Sequence, residues 1–234
     1  MKLFSLVVMV SILILGPTVA GAFSQADVDR MLAGDKNMQN ADLSSIGQIN
    51  LNVRTYNYVD FSRANFSGSR MWGLIFDNAK LEGAKLDNGS FHGAHFHHVN
   101  FKGSSLVNAD LSNVPAGGSD FTNANLSGAK LTNAQLQTSK FIQANLSGAD
   151  LTDGSLFHAD LTGAKLNGAK FARVDMEAAK INVSWKSYIQ GQSPRNFDKI
   201  QWVQPTPVQP KDLKSPAASK VNKTPLKPNV TFKN

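Results

Sequence analysis

The sequence contains no cysteine. That absence excludes disulfides, thiolate metal sites, a cysteine nucleophile and the lipid-modified cysteine of a lipoprotein. Charge is sparse, at 18% of residues, and aromatics make up only 9%. Yet 41% of the residues are hydrophobic, too many for disorder throughout. Acidic residues, 17 against 24 Lys and Arg, leave a net charge of +7. The excess sits outside the body of the chain. Residues 23–181 carry 14 basic and 15 acidic side chains, whereas residues 182–234 carry 9 and 2. The body is therefore neutral and only the C-terminal stretch is basic. The total of 234 residues fits one domain with appendages.

Long apolar runs are lacking too. Leu3 to Leu15 is nearly unbroken but short for a hydrocarbon layer of ~30 Å. With Lys2 before it, Gly16-Pro17 after it and small residues at Ala20-Gly21-Ala22, residues 1–22 read as a signal peptide. The expectation is export to the periplasm or the extracellular space; an uncleaved membrane anchor is the alternative. Residues 23–45 then form a capping helix and a lead-in segment. Ser24 is placed to cap the helix, with Asp27 as the acidic partner of a capping box and Phe23 and Val28 as a hydrophobic staple. Gly34 is placed to end it, and little helix is expected beyond Ser24 to Ala33.

What the sequence has in abundance is a period of five. From Ile46 to Ile181 every fifth residue is apolar, 28 positions in all, and only Ala116 among them is small. Two residues before each centre lies Ala, Ser, Val or Gly, except at Ile49, Arg54 and Leu74. Two residues after each centre, Gly, Asn or Asp stands 17 times. Five matches neither the 3.6 of a helix nor the 2 of a strand. A chain that turns a corner every five residues satisfies all three columns: the large side chain fills the interior, the small one fits where backbone is tight, and Gly or Asn tolerates the turn. Two departures stand out. Ala41-Asp42-Leu43 has the look of a unit but is out of phase with Ile46, and Val114-Pro115-Ala116-Gly117-Gly118 lacks its large residue, implying a cavity or a bulged corner.

Units such as Ala109-Asp110-Leu111, Ala124-Asn125-Leu126, Ala144-Asn145-Leu146, Ala149-Asp150-Leu151 and Ala159-Asp160-Leu161 resemble the A-[D/N]-L-x-x motif of pentapeptide-repeat proteins. The resemblance implies an all-β fold, a right-handed four-sided β-helix with four units per coil. Residues 46–181 would then make about seven coils, a rod roughly 34 Å long at the usual strand spacing. Some members of the family bind gyrase as acidic mimics of DNA. Residues 46–181 here, with 12 basic and 11 acidic side chains, are not acidic.

On the outside of such a rod, residues twenty apart stack. Asp110, Lys130, Asp150 and Lys170 then form one ladder, and Asp60, Lys80, Asn100, Asp120, Lys140, Asp160 and Lys180 another. Their alternating signs predict cross-strand ion pairs. His92, His95, His97 and His98 crowd two successive units and are weak candidates for a metal; a solvated surface is the competing reading. Trp72, Ile75 and Tyr58, with Leu74 and Val53 nearby, form the densest outward apolar patch, a candidate protein-binding face. No nucleophile elbow, phosphate-cradling loop or catalytic histidine constellation is present in the sequence. A non-enzymatic scaffold or binding module is expected, with no cofactor, no specific nucleic acid and an unidentified protein partner, as a monomer or end-to-end dimer.

Residues 182–204 read as a C-terminal cap, with Trp185, Tyr188 and Ile189 folding over the last coil. Residues 205–234 read as a disordered Pro/Lys-rich tail. Lys211, Lys214, Lys220, Lys223, Lys227 and Lys233 are spaced there by prolines, a pattern suited to weak attraction to an anionic surface.

Overall fold

The computed structural model describes residues 23–47 and 55–205. The leader 1–22, the repeat positions Leu51 and Val53, and the tail lysines 211–233 lie outside the described residues. Helix α1 spans Gln25–Ala33. The Ser24 hydroxyl accepts from the Asp27 N–H at 3.2 Å, and Gly34 closes the helix in the left-handed region at φ +83. The capping box is only half made. Ser24 N–H donates instead to the Asp42 carbonyl at 2.9 Å, and the Asp27 carboxylate accepts from the Asp42 N–H at 3.0 Å. Both groups thus tie the helix to the repeat rather than to each other. Val28 and Met31 are buried on the interior, and Leu32 is partly buried against it. So short a helix holds because it covers an apolar surface.

Beyond it the chain is a β-solenoid. Thr55 pairs in parallel with Ile75, Ile75 with His95, and Asp60 with Lys80, Asn100, Asp120, Lys140 and Asp160 in succession, always twenty residues on. Strands β1 (Asp160–Leu161), β2 (Lys180–Asn182) and β3 (Gln201–Val203) continue this last ladder. Twenty residues hold four pentapeptides, so each turn of the chain has four faces. Each residue two past a centre, from Tyr58 through to Ala178, has positive φ. Gly and Asn adopt that geometry cheaply. Tyr58, Arg63, Gln143 and Arg173 adopt it as well, each with its N–H bonded to a carbonyl of the next coil: Asp77, Glu82, Thr162 and Ser193.

The interior takes the large column and the small one together, and both are at most 5% exposed. Phe101, Phe121 and Phe141 stack at 4.6 and 4.9 Å with nearly parallel rings. In the small column, buried Ser104 and Ser139 donate to the Phe101 and Ala116 carbonyls at 2.7 and 2.9 Å, which removes the cost of hiding a hydroxyl. Leu74 belongs to this column and is buried, not part of an outward patch. The unit at Ala116 is not bulged: Pro115 carbonyl accepts from Phe96 N–H at 2.8 Å and Ala116 N–H reaches Gln135 at 2.8 Å. Its register is that of its neighbours.

The start of the repeat differs from the sequence expectation. Asn37 pairs with Asp60 and Asp42 with Asn65, a spacing of 23 rather than 20. Asn40 and Ser45 take the corner geometry at φ +57 and +53. Met38 and Leu43 are therefore the first centres. Ile46, expected as a centre, has its carbonyl bonded to Arg70 N–H at 2.8 Å, the same bond that small-column Ala64 makes to Lys85. From Thr55, which pairs with Ile75, the spacing is 20.

At the other end, Ile189 is buried, Trp185 is partly buried against the interior, and Tyr188 donates its hydroxyl to the Ala169 carbonyl at 2.8 Å. Residues Lys186–Gln190 form a second helix, α2, where little helix was expected. The chain then returns to the ladder, with Trp202 paired to Ile181 and packed on Phe197 at 5.5 Å.

Candidate functional site

The large and small columns fill the described interior, so the candidate side chains lie on the outer faces. The charged ladders are built mainly for turning. Each Asp before a centre accepts the N–H two residues on: Asp60 from Ser62 at 3.0 Å, Asp110 from Ser112 at 3.1 Å, Asp120 from Thr122 at 3.0 Å, Asp150 from Thr152 at 3.1 Å and Asp160 from Thr162 at 3.0 Å. This is the Asx turn, and Asn65, Asn125 and Asn145 make the same bond without charge. Within the two expected ladders, ion pairs join Lys80 to Asp60 at 3.6 Å and Lys170 to Asp150 at 3.0 Å. Lys102, from the neighbouring column, takes Asp120 at 3.4 Å. Exposed pairs of this kind contribute little.

These contacts still leave a mark on acid stability. Burial pushes the Asp60 carboxyl up, but hydrogen bonds from Ser62 and Gln39 and the charge of Lys80 outweigh it and hold it at about 2. Asp120 and Asp150 are lowered by the same balance, with burial opposing. A carboxyl depressed in the folded state stabilises above its ordinary value of 3.8, and that contribution is lost as pH falls toward 2. Denaturant midpoints measured across this window are expected to fall with pH, and Asp60→Asn to flatten the fall.

One face differs from the other three. Its strand column runs Thr55, Ile75, His95, Pro115, Gln135 and Ser155 before it reaches the charged Asp175 and Arg195. The column just past its centres runs Asn57, Asp77, His97, Gly117, Gln137 and Phe157. Asp77 is the one charged residue of these twelve. Ile75 is half-buried on this face and Tyr58, at its corner, is 74% exposed, whereas Trp72, 45% exposed, stands in the column of His92 on the neighbouring face. Trp72 donates its indole N–H to the Ser90 hydroxyl. The expected patch is thus divided between two faces.

The histidines separate. His92 lies on another face, 3.3 Å from the Ser112 hydroxyl and 3.4 Å from the Asn113 amide. His98 turns over Gly118, where an added Cβ would stand 2.4 Å from its Nδ1. His158 packs edge-on against Phe157 at 4.3 Å. His95 and His97 stay together, their ring centroids 6.3 Å apart and nearly perpendicular. Among the described residues no group of three or more His, Asp or Glu is disposed to hold a metal. The periodicity hid this sorting, since it gives each residue a column without giving its side chain a direction.

The family model for pentapeptide repeats matches the chain in eight copies, over residues 75–113, 119–156 and 155–182. No curated protein matches it. Among solved structures, a pentapeptide repeat protein from Nostoc PCC 7120 is 31% identical over 53% of this chain and 84% of its own, with a TM-score of 0.24. HetL, a pentapeptide repeat protein involved in heterocyst differentiation regulation in the cyanobacterium Nostoc sp. strain PCC 7120, is 23% identical over 66% and 78%, with a TM-score of 0.31. QnrB1, a plasmid-mediated fluoroquinolone resistance protein, is 18% identical over 62% and 79%, with a TM-score of 0.32. The assignment rests on the repeat rather than on these superpositions: with its five-residue columns, four-sided ladder and matching family model, the chain belongs to the pentapeptide-repeat family.

Proposed function

We propose that the protein is an exported, non-enzymatic scaffold or protein-binding module, held near an anionic surface by its basic tail. The observation that carries this reading is the filled interior: large and small columns are buried along the described rod, which leaves recognition to the outer faces. The rod is read as right-handed with about seven coils over residues 46–181, covered by α1 at one end and residues 182–204 at the other. Export follows from the leader 1–22, and Ile75, Trp72 and Tyr58 are the docking residues for a protein partner. Mimicry of DNA for a type II topoisomerase is opposed by 12 basic and 11 acidic residues in 46–181, a balance without the acidic surface such mimicry needs.

The tail gives the test. Each lysine near an anionic membrane contributes up to ~1 kcal/mol, screened beyond ~8 Å at physiological salt. Co-sedimentation with vesicles rich in anionic lipid is expected at low salt, to fall steeply as salt rises, and to be lost when residues 205–234 are removed. Equal sedimentation with and without the tail, or none at low salt, overturns the tether.

A further inference from the structure

We propose that His95 and His97 form a two-histidine site for a late divalent transition metal, Cu²⁺ in particular, on the stretch of this face where Asp77 is the one charged residue. The inference goes beyond the scaffold reading and does not depend on it.

The two residues flank Phe96, which points into the interior and stacks on Phe76 at 5.2 Å. That anchor fixes the strand between them. The backbone on either side is bonded as well: His95 N–H to the Leu74 carbonyl at 2.8 Å, and His97 N–H to the Asp77 carboxylate at 2.9 Å. His95 leaves a ladder position and His97 the turn that follows it, and their rings stand 6.3 Å apart. Two imidazoles that share one ion at metal–nitrogen distances near 2 Å hold their ring centres about 5 Å apart. Closing the difference takes a small rotation of two side chains, of which His95 is exposed and His97 is half-buried.

The surroundings favour a cation. Neither Lys nor Arg occurs in the two outward columns of this face from Thr55 to Phe157. The one charge there, Asp77, lies a rung below His97 and bonds its N–H. Above His97 stands Gly117, with no side chain to cover the approach; an added Cβ would sit 3.7 Å from His97 Nδ1. Two neutral imidazole donors with water in the remaining positions suit Cu²⁺ above Ni²⁺ or Zn²⁺, by donor type and by the order of divalent affinities. His92 offers a control on the same molecule, since it lies on another face beside Ser112 and Asn113.

The experiment is a calorimetric titration of the untagged full chain with Cu²⁺, paired with electron paramagnetic resonance to count coordinated nitrogens. One ion per chain with two imidazole nitrogens is expected. His95→Gln and His97→Gln are each expected to weaken binding at least tenfold and to leave one nitrogen, with His92→Gln unchanged and thermal melting unchanged in all three. Asp77→Asn, which keeps an acceptor for the His97 N–H, is expected to weaken binding severalfold while both nitrogens remain. Uptake that survives His95→Gln and His97→Gln together, or that His92→Gln reduces as strongly, overturns the site. So does an intact chain that takes up no Cu²⁺ with two nitrogens.

Discussion

Replacing Phe121 with alanine is expected to lower the unfolding free energy by about 3–5 kcal/mol, the range for deleting a fully buried aromatic ring. Phe121 is 2% exposed and lies between Phe101 and Phe141 in a continuous stack, 4.6 and 4.9 Å from its neighbours. The backbone on both sides is bonded into adjacent coils, Phe121 N–H to Lys140 and Asn123 N–H to Ile142. The space left by the ring therefore cannot close by collapse, which places the cost toward the upper part of the range. Urea denaturation of the two proteins measures it. An unchanged midpoint would mean that the centre column does not face inward.

Ala124→Leu is expected to destabilise by about 1–3 kcal/mol through overpacking, and Ala124→Ser to be close to neutral. Ala124 is 1% exposed and its N–H donates to the Phe121 carbonyl at 3.0 Å. Its neighbour one coil below in the same column is Ser104, whose hydroxyl donates to Phe101 at 2.7 Å. Serine at 124 has the equivalent carbonyl, that of Phe121, within reach. Leucine does not fit this column without moving backbone, because the ladder fixes the separation of the coils. Melting of all three proteins side by side separates volume from polarity: if leucine and serine behave alike, the small column is not limited by space.

How much of this was legible beforehand follows from what a period can encode. The centres, the small column and the corner column are each a property of one residue type at one position, so Phe121, Ala124 and Asn123 could be placed inside, beside and at the corner from the sequence. Contacts that depend on which coil lies next could be placed only where the spacing of 20 held. At the start it did not hold. Met38 and Leu43 stack 23 residues ahead of Phe61 and Phe66, so Ile46, a centre by phase, serves in the small column. At the end, Trp202 rejoins the ladder 21 residues after Ile181 by way of a helix and a turn that follow no period.

The outer face shows the same division. Asp110 and Lys130 alternate in sign along the sequence, and alternation alone suggests pairing. In the folded chain Asp60, Asp110 and Asp150 all accept an N–H within their own corners, at 3.0, 3.1 and 3.1 Å, while Asp60 and Asp150 also hold a lysine from the next coil. The four neighbouring histidines were equally ambiguous, because consecutive residues at a corner diverge. Fold type, the buried columns and the neutrality of the rod follow from residue type and period, and both are written in the chain. Where the repeat begins, which partner each aspartate takes and which two histidines stand together depend on distances between coils, which the period leaves free and the folded chain sets.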